Sequence, residues 1–237
     1  RENCLPDWQN WIKKADLPPE TTLYVLDNSG KPAFSKKVKK FLSEQTKVKT
    51  FYMAFGKPVE LETWFSRHEW VPHLYNKILP HVEDDYVVMF EDDVVPPLDG
   101  LKTIMQSWEM RGHDVGGISG CYPSRQRPAE YVGTTSLTER HWGAMYFVKD
   151  ITENKLYRAG KIAGGFSVYQ NALIKQAMPF RFIPHNYSTG EYCAGWDSNL
   201  SLFLRDSGYK VFLHGGVICQ HNFEDTQLQQ NKVKNEN

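Results

Sequence analysis

A chain of 237 residues with 41% apolar content is long enough to bury one substantial core, which predicts a single domain of α/β type. Its 28 basic and 28 acidic side chains cancel, so nothing global in the charge advertises nucleic acid or an anionic membrane. No apolar stretch reaches the length of a bilayer span and the N-terminus lacks a signal-peptide pattern; a soluble, cytoplasmic protein is expected, whatever segments a longer native chain would add.

In chain order, Cys4 to Lys14 reads as a helix. The breaker Leu17-Pro-Pro19 follows, then a strand from Thr22 to Leu26 that ends in the turn Asp27-Asn-Ser-Gly30. Ser35 is the expected N-cap of a helix running through Ser43, and Val48 to Ala54 reads as the next strand. Trp64, His68, Val71, Tyr75 and Ile78 fall at helical spacing, which predicts a helix from about Glu60 to Leu79 with Pro72 as a kink.

The stretch Tyr86 to Pro97 is the most informative. Five β-prone residues, Tyr86 to Phe90, are apolar without alternation, which fits a strand covered on both faces. They end abruptly in Glu91, Asp92 and Asp93, and Pro96 and Pro97 cannot continue a ladder. Adjacent carboxylates repel one another unless a cation or a set of donors compensates. The triplet therefore points to a hard divalent metal, Mn²⁺ or Mg²⁺, held together with a phosphate-bearing ligand; a solvated acidic loop is the plain alternative.

Further on, Gly100 to Met110 reads as a helix and Val115 to Ser119 as a short strand, with β-like pieces such as Ala144 to Val148 in an irregular region. The Gly164-Gly165 turn leads into a strand, Phe166 to Tyr169, and a helix through Ala177. Asp197 to Asp206 is a helix closed by Gly208, and Tyr209 to Leu213 and Val217 to Cys219 read as two strands before Gln220-His221-Asn222. The βαβαβ alternation of the first hundred residues predicts a parallel sheet with ligands at the carboxyl ends of its strands. Cys4, Cys121, Cys193 and Cys219 lack any Cys-x-x-Cys spacing and are read as reduced, mostly buried thiols. The basic clusters Lys36 to Lys40 and Arg125 to Arg127 read as a solvated helix face and a loop.

Four short motifs in this order, Asp27-Asn-Ser, Glu91-Asp-Asp93, Gly195-Trp-Asp197 opening a helix that closes at Gly208-Tyr-Lys210, and the terminal His221, resemble the GT-A glycosyltransferases, most closely family-2-type members. The resemblance extends over nearly the whole chain. It implies a GT-A type, Rossmann-like, mostly parallel central sheet flanked by helices. It also implies one domain over residues 1–223, with 1–97 as the nucleotide-sugar-binding half, 98–223 as the acceptor-binding half and 224–237 as a polar tail. The family's opening strand and its loop have no counterpart in this sequence, so any nucleotide contact from that loop stays unassigned.

The roles the resemblance implies are these. Asp93 is the principal metal ligand and His221 a second, with Glu91 near the ribose or a metal-bound water and Asp92 holding the set. Asp27 meets the nucleobase, Arg67 or His73 the base or diphosphate, and the Gly164-Gly165 turn lets backbone approach the donor sugar. Asp197 is the general base of an inverting transfer to a hydroxyl acceptor, with Glu191 in reserve, and Trp142 and Trp196 offer faces for stacking on sugars. Each has a plainer reading from its residue type: a turn former for Asp27, a first-turn acid for Asp197, a structural imidazole for His221, packing for the tryptophans. The donor is a nucleotide-sugar, UDP-linked; the acceptor is a glycan, a glycoconjugate or a hydroxymethylated base of viral DNA. A retaining transferase, a nucleotidyltransferase and a non-catalytic carbohydrate-binding domain are the rivals. A nucleotidyltransferase would normally show a Gly-rich basic loop near its start, and none is visible.

Overall fold

The computed structural model describes residues 2–56, 64–124, 130–133, 151, 154–181 and 195–222, with the backbone alone for 64–69. After a 3₁₀ turn, helix α1 (Leu5–Lys14) starts with Pro6 in its first turn, where a missing N–H costs nothing. Trp8, Trp11 and Ile12 recur at helical spacing and are buried, and the Trp11 indole N–H donates to the Pro97 carbonyl at 3.2 Å. That bond ties the first helix to the segment leaving the acidic triplet.

Strands β1 (Thr22–Asp27) and β2 (Lys49–Ala54) pair in parallel, joined by α2 (Pro32–Ser43), as the alternating pattern predicted. Ser35 does not cap α2. Lys31 holds that place without a side-chain bond, Pro32 presets the first turn, and Ser35, one turn inside, spends its hydroxyl on Asp27 instead. Helix α3 (Trp64–Ile78) contains Pro72 and leads to β3 (Tyr86–Phe90).

A mixed five-stranded sheet has the order β3-β7-β5-β8-β6, with β5 (Val115–Cys121), β6 (Leu156–Ala159), β7 (Phe166–Gln170) and β8 (Lys210–Ile218). Only β5 and β8 run parallel; β3 with β7, β7 with β5 and β6 with β8 are antiparallel. The expectation of a mostly parallel sheet is corrected here. Unbroken apolarity, as in β3, reports burial on both faces and says nothing of a strand's direction. The two strands expected at Tyr209–Leu213 and Val217–Cys219 are one, because β8 runs on through Gly215 and Gly216. Two-residue strands β4 (Val94–Val95) and β9 (Gln220–His221) pair antiparallel beside the main sheet.

Helices α4 (Gly100–Arg111), α5 (Asn171–Ala177) and α6 (Trp196–Asp206) complete the described elements. Alternate residues of the strands feed two buried clusters, one on each face. Val88, Phe90, Val168 and Phe212 join Trp11 and Trp108, whereas Val87, Met89, Tyr169 and Leu213 join Ile78 and Leu200. Cys4, Cys121 and Cys219 are buried; Cys193 lies outside the described residues. No helix among the described residues is long and apolar enough to cross a membrane.

One buried polar pair makes the fold sensitive to acid. Gly216 N–H donates to His214 Nδ1 at 3.1 Å, so the neutral ring carries its proton on Nε2, which faces Ser107 Oγ at 2.8 Å. Burial pushes the His214 pKa below its ordinary value. The neutral ring is therefore the form the fold accepts, and its contribution is complete above the unfolded pKa of about 6.5 and is lost as pH falls toward the lower folded value. Chemical denaturation should show the midpoint dropping between pH 7 and pH 5, and His214→Gln should flatten that dependence.

Candidate functional site

The acid triplet is shaped by backbone bonds before any ligand is considered. Glu91 N–H donates to the Gly165 carbonyl at 2.9 Å, and Val94 N–H closes a turn on the Glu91 carbonyl at 3.2 Å. Asp92 is exposed at the turn, Glu91 half-buried and Asp93 only 1% exposed. The β4–β9 ladder pairs Val94 with His221, and Asn222 N–H donates to the Asp93 carbonyl at 2.7 Å. This register brings His221 Nε2 to 3.3 Å from Asp93 Oδ2.

The other ring nitrogen, Nδ1, lies 2.7 Å from the Pro123 carbonyl, which can only accept. It therefore holds the proton, and in the neutral ring Nε2 presents its lone pair toward Asp93. Two ligands at right angles around a cation with bonds of about 2.1 Å stand about 3 Å apart, close to the observed separation. The imidazole and carboxylate thus fit a divalent metal, and the nitrogen donor favours Mn²⁺ over the more oxygen-selective Mg²⁺. No cluster of three metal-binding side chains occurs among the described residues.

Asp197 is connected to the triplet through the Gly164-Gly165 turn. Helix α6 opens at Gly195 and Trp196, and the Asp197 carboxylate accepts from Ser198 N–H at 2.8 Å and from Gly164 N–H. Burial pushes its pKa up, opposed by those N–H groups and by the charge of Lys161, a lysine with no exposed surface. Gly164 and Gly165 thus bridge the two acid groups, one bonded to Asp197 and the other to Glu91. Tyr122 and Tyr75 lie within electrostatic reach of both acids. Burial, then the charges of Glu91 and Asp197, push both phenol pKa values up, so the hydroxyls stay protonated. Tyr122 Oη accepts from Gly165 N–H at 3.0 Å, and its ring meets His221 edge-on at 5.3 Å between centroids.

Both glycines are required by close approach. A Cβ on Gly165 would lie 2.6 Å from Tyr122 Cζ, and one on Gly164 would lie 2.5 Å from Trp196 Cη2 and nearer still to the adjoining ring carbon. Trp196 is buried, 6% exposed, and packs on Phe180 and Tyr75. It is a packing residue, with no free face for a sugar. Gly164→Ala should cost about 1–3 kcal/mol by displacing that ring, readable as a lower denaturation midpoint.

Asp27 ends β1 with its carboxylate well supplied. Oδ1 accepts from Ser29 N–H at 2.9 Å, and Oδ2 accepts from the Ser35 and Tyr52 hydroxyls at 2.5 Å each. Burial alone would raise its pKa, but these donors outweigh it and hold the carboxyl below its ordinary value. With the Ser29 hydroxyl as a further donor, the carboxylate's acceptor positions are well occupied, and Asp27 organises the turn. Between β1 and β3 lies a cavity of about 840 Å³, with Asp27 and Glu91 both on its lining. Arg67 falls on α3 with its side chain outside the described residues, as do Trp142 and Glu191 entirely; His73 stacks on Trp70 at 4.9 Å. Tyr122, Lys161 and the Pro123 carbonyl escaped the sequence reading. Tyr122 had a signal, since it directly follows a strand and so stands where ligands gather; a lone lysine in a loop has none.

No known protein family and no curated protein matches the chain by sequence. Solved structures do. S. aureus TarS residues 1–349 superposes with a TM-score of 0.56 at 12% identity, covering 93% of this chain and 57% of that one. GalNAc-T7, solved with UDP, GalNAc and Mn²⁺, gives 0.55 at 11% identity over 86% of this chain and 38% of its own. CMP:2-keto-3-deoxy-manno-octonic acid synthetase, complexed with CTP, gives 0.51 at 12% over 97% and 85%. The chain spans about half or less of the first two. It has an α/β fold of GT-A type, similar to glycosyltransferases and to a nucleotidyltransferase.

Proposed function

We propose that the protein is a metal-dependent glycosyltransferase that moves a sugar from a nucleotide-sugar, UDP-linked, to a hydroxyl acceptor with inversion. The observation that carries this reading is the Asp93–His221 pair, with Nε2 turned to the carboxylate and Nδ1 anchored on Pro123, linked through Tyr122 to the Gly164–Gly165 turn that bonds Asp197. Asp93 and His221 hold Mn²⁺ or Mg²⁺, which when bound neutralises the diphosphate leaving group. Glu91 and Asp92 border the donor, Asp27 meets the base at the end of β1, and Arg67 reaches the base or diphosphate. Gly164 and Gly165 admit the donor sugar against bare backbone. Asp197 takes the proton of the acceptor hydroxyl as that oxygen attacks, and a raised pKa suits it to hold that proton. Residues 1–97 serve the donor and 98–223 the acceptor. The UDP and Mn²⁺ carried by GalNAc-T7 on the same fold support the donor and metal assignment.

The acceptor is a glycan, a glycoconjugate or a hydroxymethylated base of viral DNA; a retaining transferase would use the same donor half. The likeness to a CTP-bound synthetase favours one second reading, a nucleotidyltransferase. Incubation with Mn²⁺ and a panel of sugar nucleotides and nucleoside triphosphates separates them. Release of UDP from a UDP-sugar, slow with water and faster with acceptor, supports the glycosyltransferase. Pyrophosphate released from a triphosphate supports the second reading, and neither product would leave a binding domain.

A further inference from the structure

The segment from Gly160 to Gly165, which joins β6 to β7, is strapped to α6 by three side chains spaced one helical turn apart. Arg205 Nη1 donates to the Gly160 carbonyl at 3.1 Å, the Ser201 hydroxyl accepts from Ile162 N–H at 3.1 Å, and the Asp197 carboxylate accepts from Gly164 N–H. Every second residue of the strap thus meets every fourth residue of the helix. Two residues of extended chain cover about 6.6 Å and four residues of helix about 6 Å, so the two repeats stay in step over all three bonds. A slip of one residue would break them together.

The strap is held from its other side by the sheet and the acid triplet. The Ala163 carbonyl accepts from the Ser167 hydroxyl, Gly165 N–H donates to Tyr122 Oη, and the Gly165 carbonyl accepts from Glu91 N–H. Its backbone therefore carries position from α6 to Glu91.

Ser201 is the middle rung and has no exposed surface. Its hydroxyl has one proton to give, and the Asp197 carbonyl at 2.9 Å is a nearer acceptor than the Ile162 carbonyl at 3.3 Å. The bonds run from Ile162 N–H to Ser201 Oγ, and from Ser201 O–H to the carbonyl one turn back. Ser201 so holds the residue that carries the carboxylate, and also the strap whose Gly164 N–H meets that carboxylate. Alanine would suit a helix interior better and bury no polar group, so local preference does not account for a serine here.

We propose that Ser201 is a positioning residue for the transfer, keeping the strap in register so that the Asp197 carboxylate is held in one orientation toward the acceptor hydroxyl. The proposal rests on Asp197 as the base of the reaction proposed above. The carboxylate is held by Ser198 N–H from its own helix and by Gly164 N–H from the strap, and the second hold lasts only while the register does.

Ser201→Ala tests it. Hydrogen exchange at the Gly164 amide, which Ser201 does not touch, should quicken by about 10-fold. At saturating donor kcat should fall by about 10- to 100-fold, with donor KM and Mn²⁺ affinity within about 2-fold of wild type. In the Asp197→Asn background the same substitution should change the residual kcat by less than about 2-fold, because no base is left to place. Unchanged exchange at Gly164, unchanged kcat, or equal losses in the two backgrounds would each overturn the proposal, the last by showing a merely structural role. A wild type that turns over no sugar nucleotide would overturn the assigned reaction instead, and exchange at Gly164 would still decide whether Ser201 places Asp197. Should the alanine variant not fold, Ser201→Thr and Ser201→Val take its place, since the two have the same shape and differ in the hydroxyl. Threonine can bond the carbonyl one turn back and should keep kcat about 10-fold or more above valine; equal values would overturn the proposal.

Discussion

Asp197→Asn should lower transfer at saturating donor by about 10²- to 10⁴-fold while donor and metal bind with near-normal affinity, the loss typical of removing a positioned proton acceptor. The amide keeps the shape of the carboxylate, and its oxygen can still accept from Ser198 N–H at the start of α6. A role confined to the first turn of the helix predicts otherwise, because Asn serves helix starts nearly as well as Asp, and turnover would then stay near wild type. The pH dependence adds a second reading. Burial raises the Asp197 pKa, and a base works only when deprotonated, so kcat should fall as pH drops through that raised value, at a higher pH than for an ordinary aspartate. The variant should lose this limb of the profile. Wild-type turnover in the variant would pass the role to Glu191 or favour a retaining mechanism.

Asp93→Asn should abolish the Mn²⁺-dependent stabilisation of the protein by a nucleoside diphosphate. The substitution removes a hard anionic donor from beside the His221 imidazole, at a site otherwise built mainly by phosphate oxygens. Thermal melts with UDP, with and without Mn²⁺, measure it. His221→Ala should weaken metal binding less, by about 10- to 100-fold, since water or phosphate oxygen fills a vacated position. The Asp93–His221 contact is also an ion pair whenever the ring is protonated. If His221→Ala lowers Tm and leaves metal affinity unchanged, the histidine is structural.

The parts of this molecule that were legible in sequence are those written in local pattern. The apolar run Tyr86–Phe90 followed by three acids read as a strand with carboxylates at its end, and the structure sets Asp27 and His221 at strand ends and Asp197 in the first turn of a helix, the positions the local pattern predicted. What depends on distant partners was not legible. The antiparallel pairing of β3 with β7 joins segments some eighty residues apart, and an apolar run reads the same in either direction. Ser35 looks like a cap by type, and only the fold shows its hydroxyl bonded to Asp27. Trp196 suggests sugar stacking by type and proves to be the lid over Gly164. Lys161 gains meaning solely from burial beside Asp197.

The central claim is that Asp93 and His221 hold a divalent cation that in turn holds a nucleoside diphosphate. Calorimetric titration of UDP into the protein, once with Mn²⁺ and once with the metal chelated, tests it most directly. The account predicts saturable binding with Mn²⁺, loss of most of that affinity under chelation, and the same loss in Asp93→Asn with metal present. UDP binding of equal strength in all three conditions would contradict it.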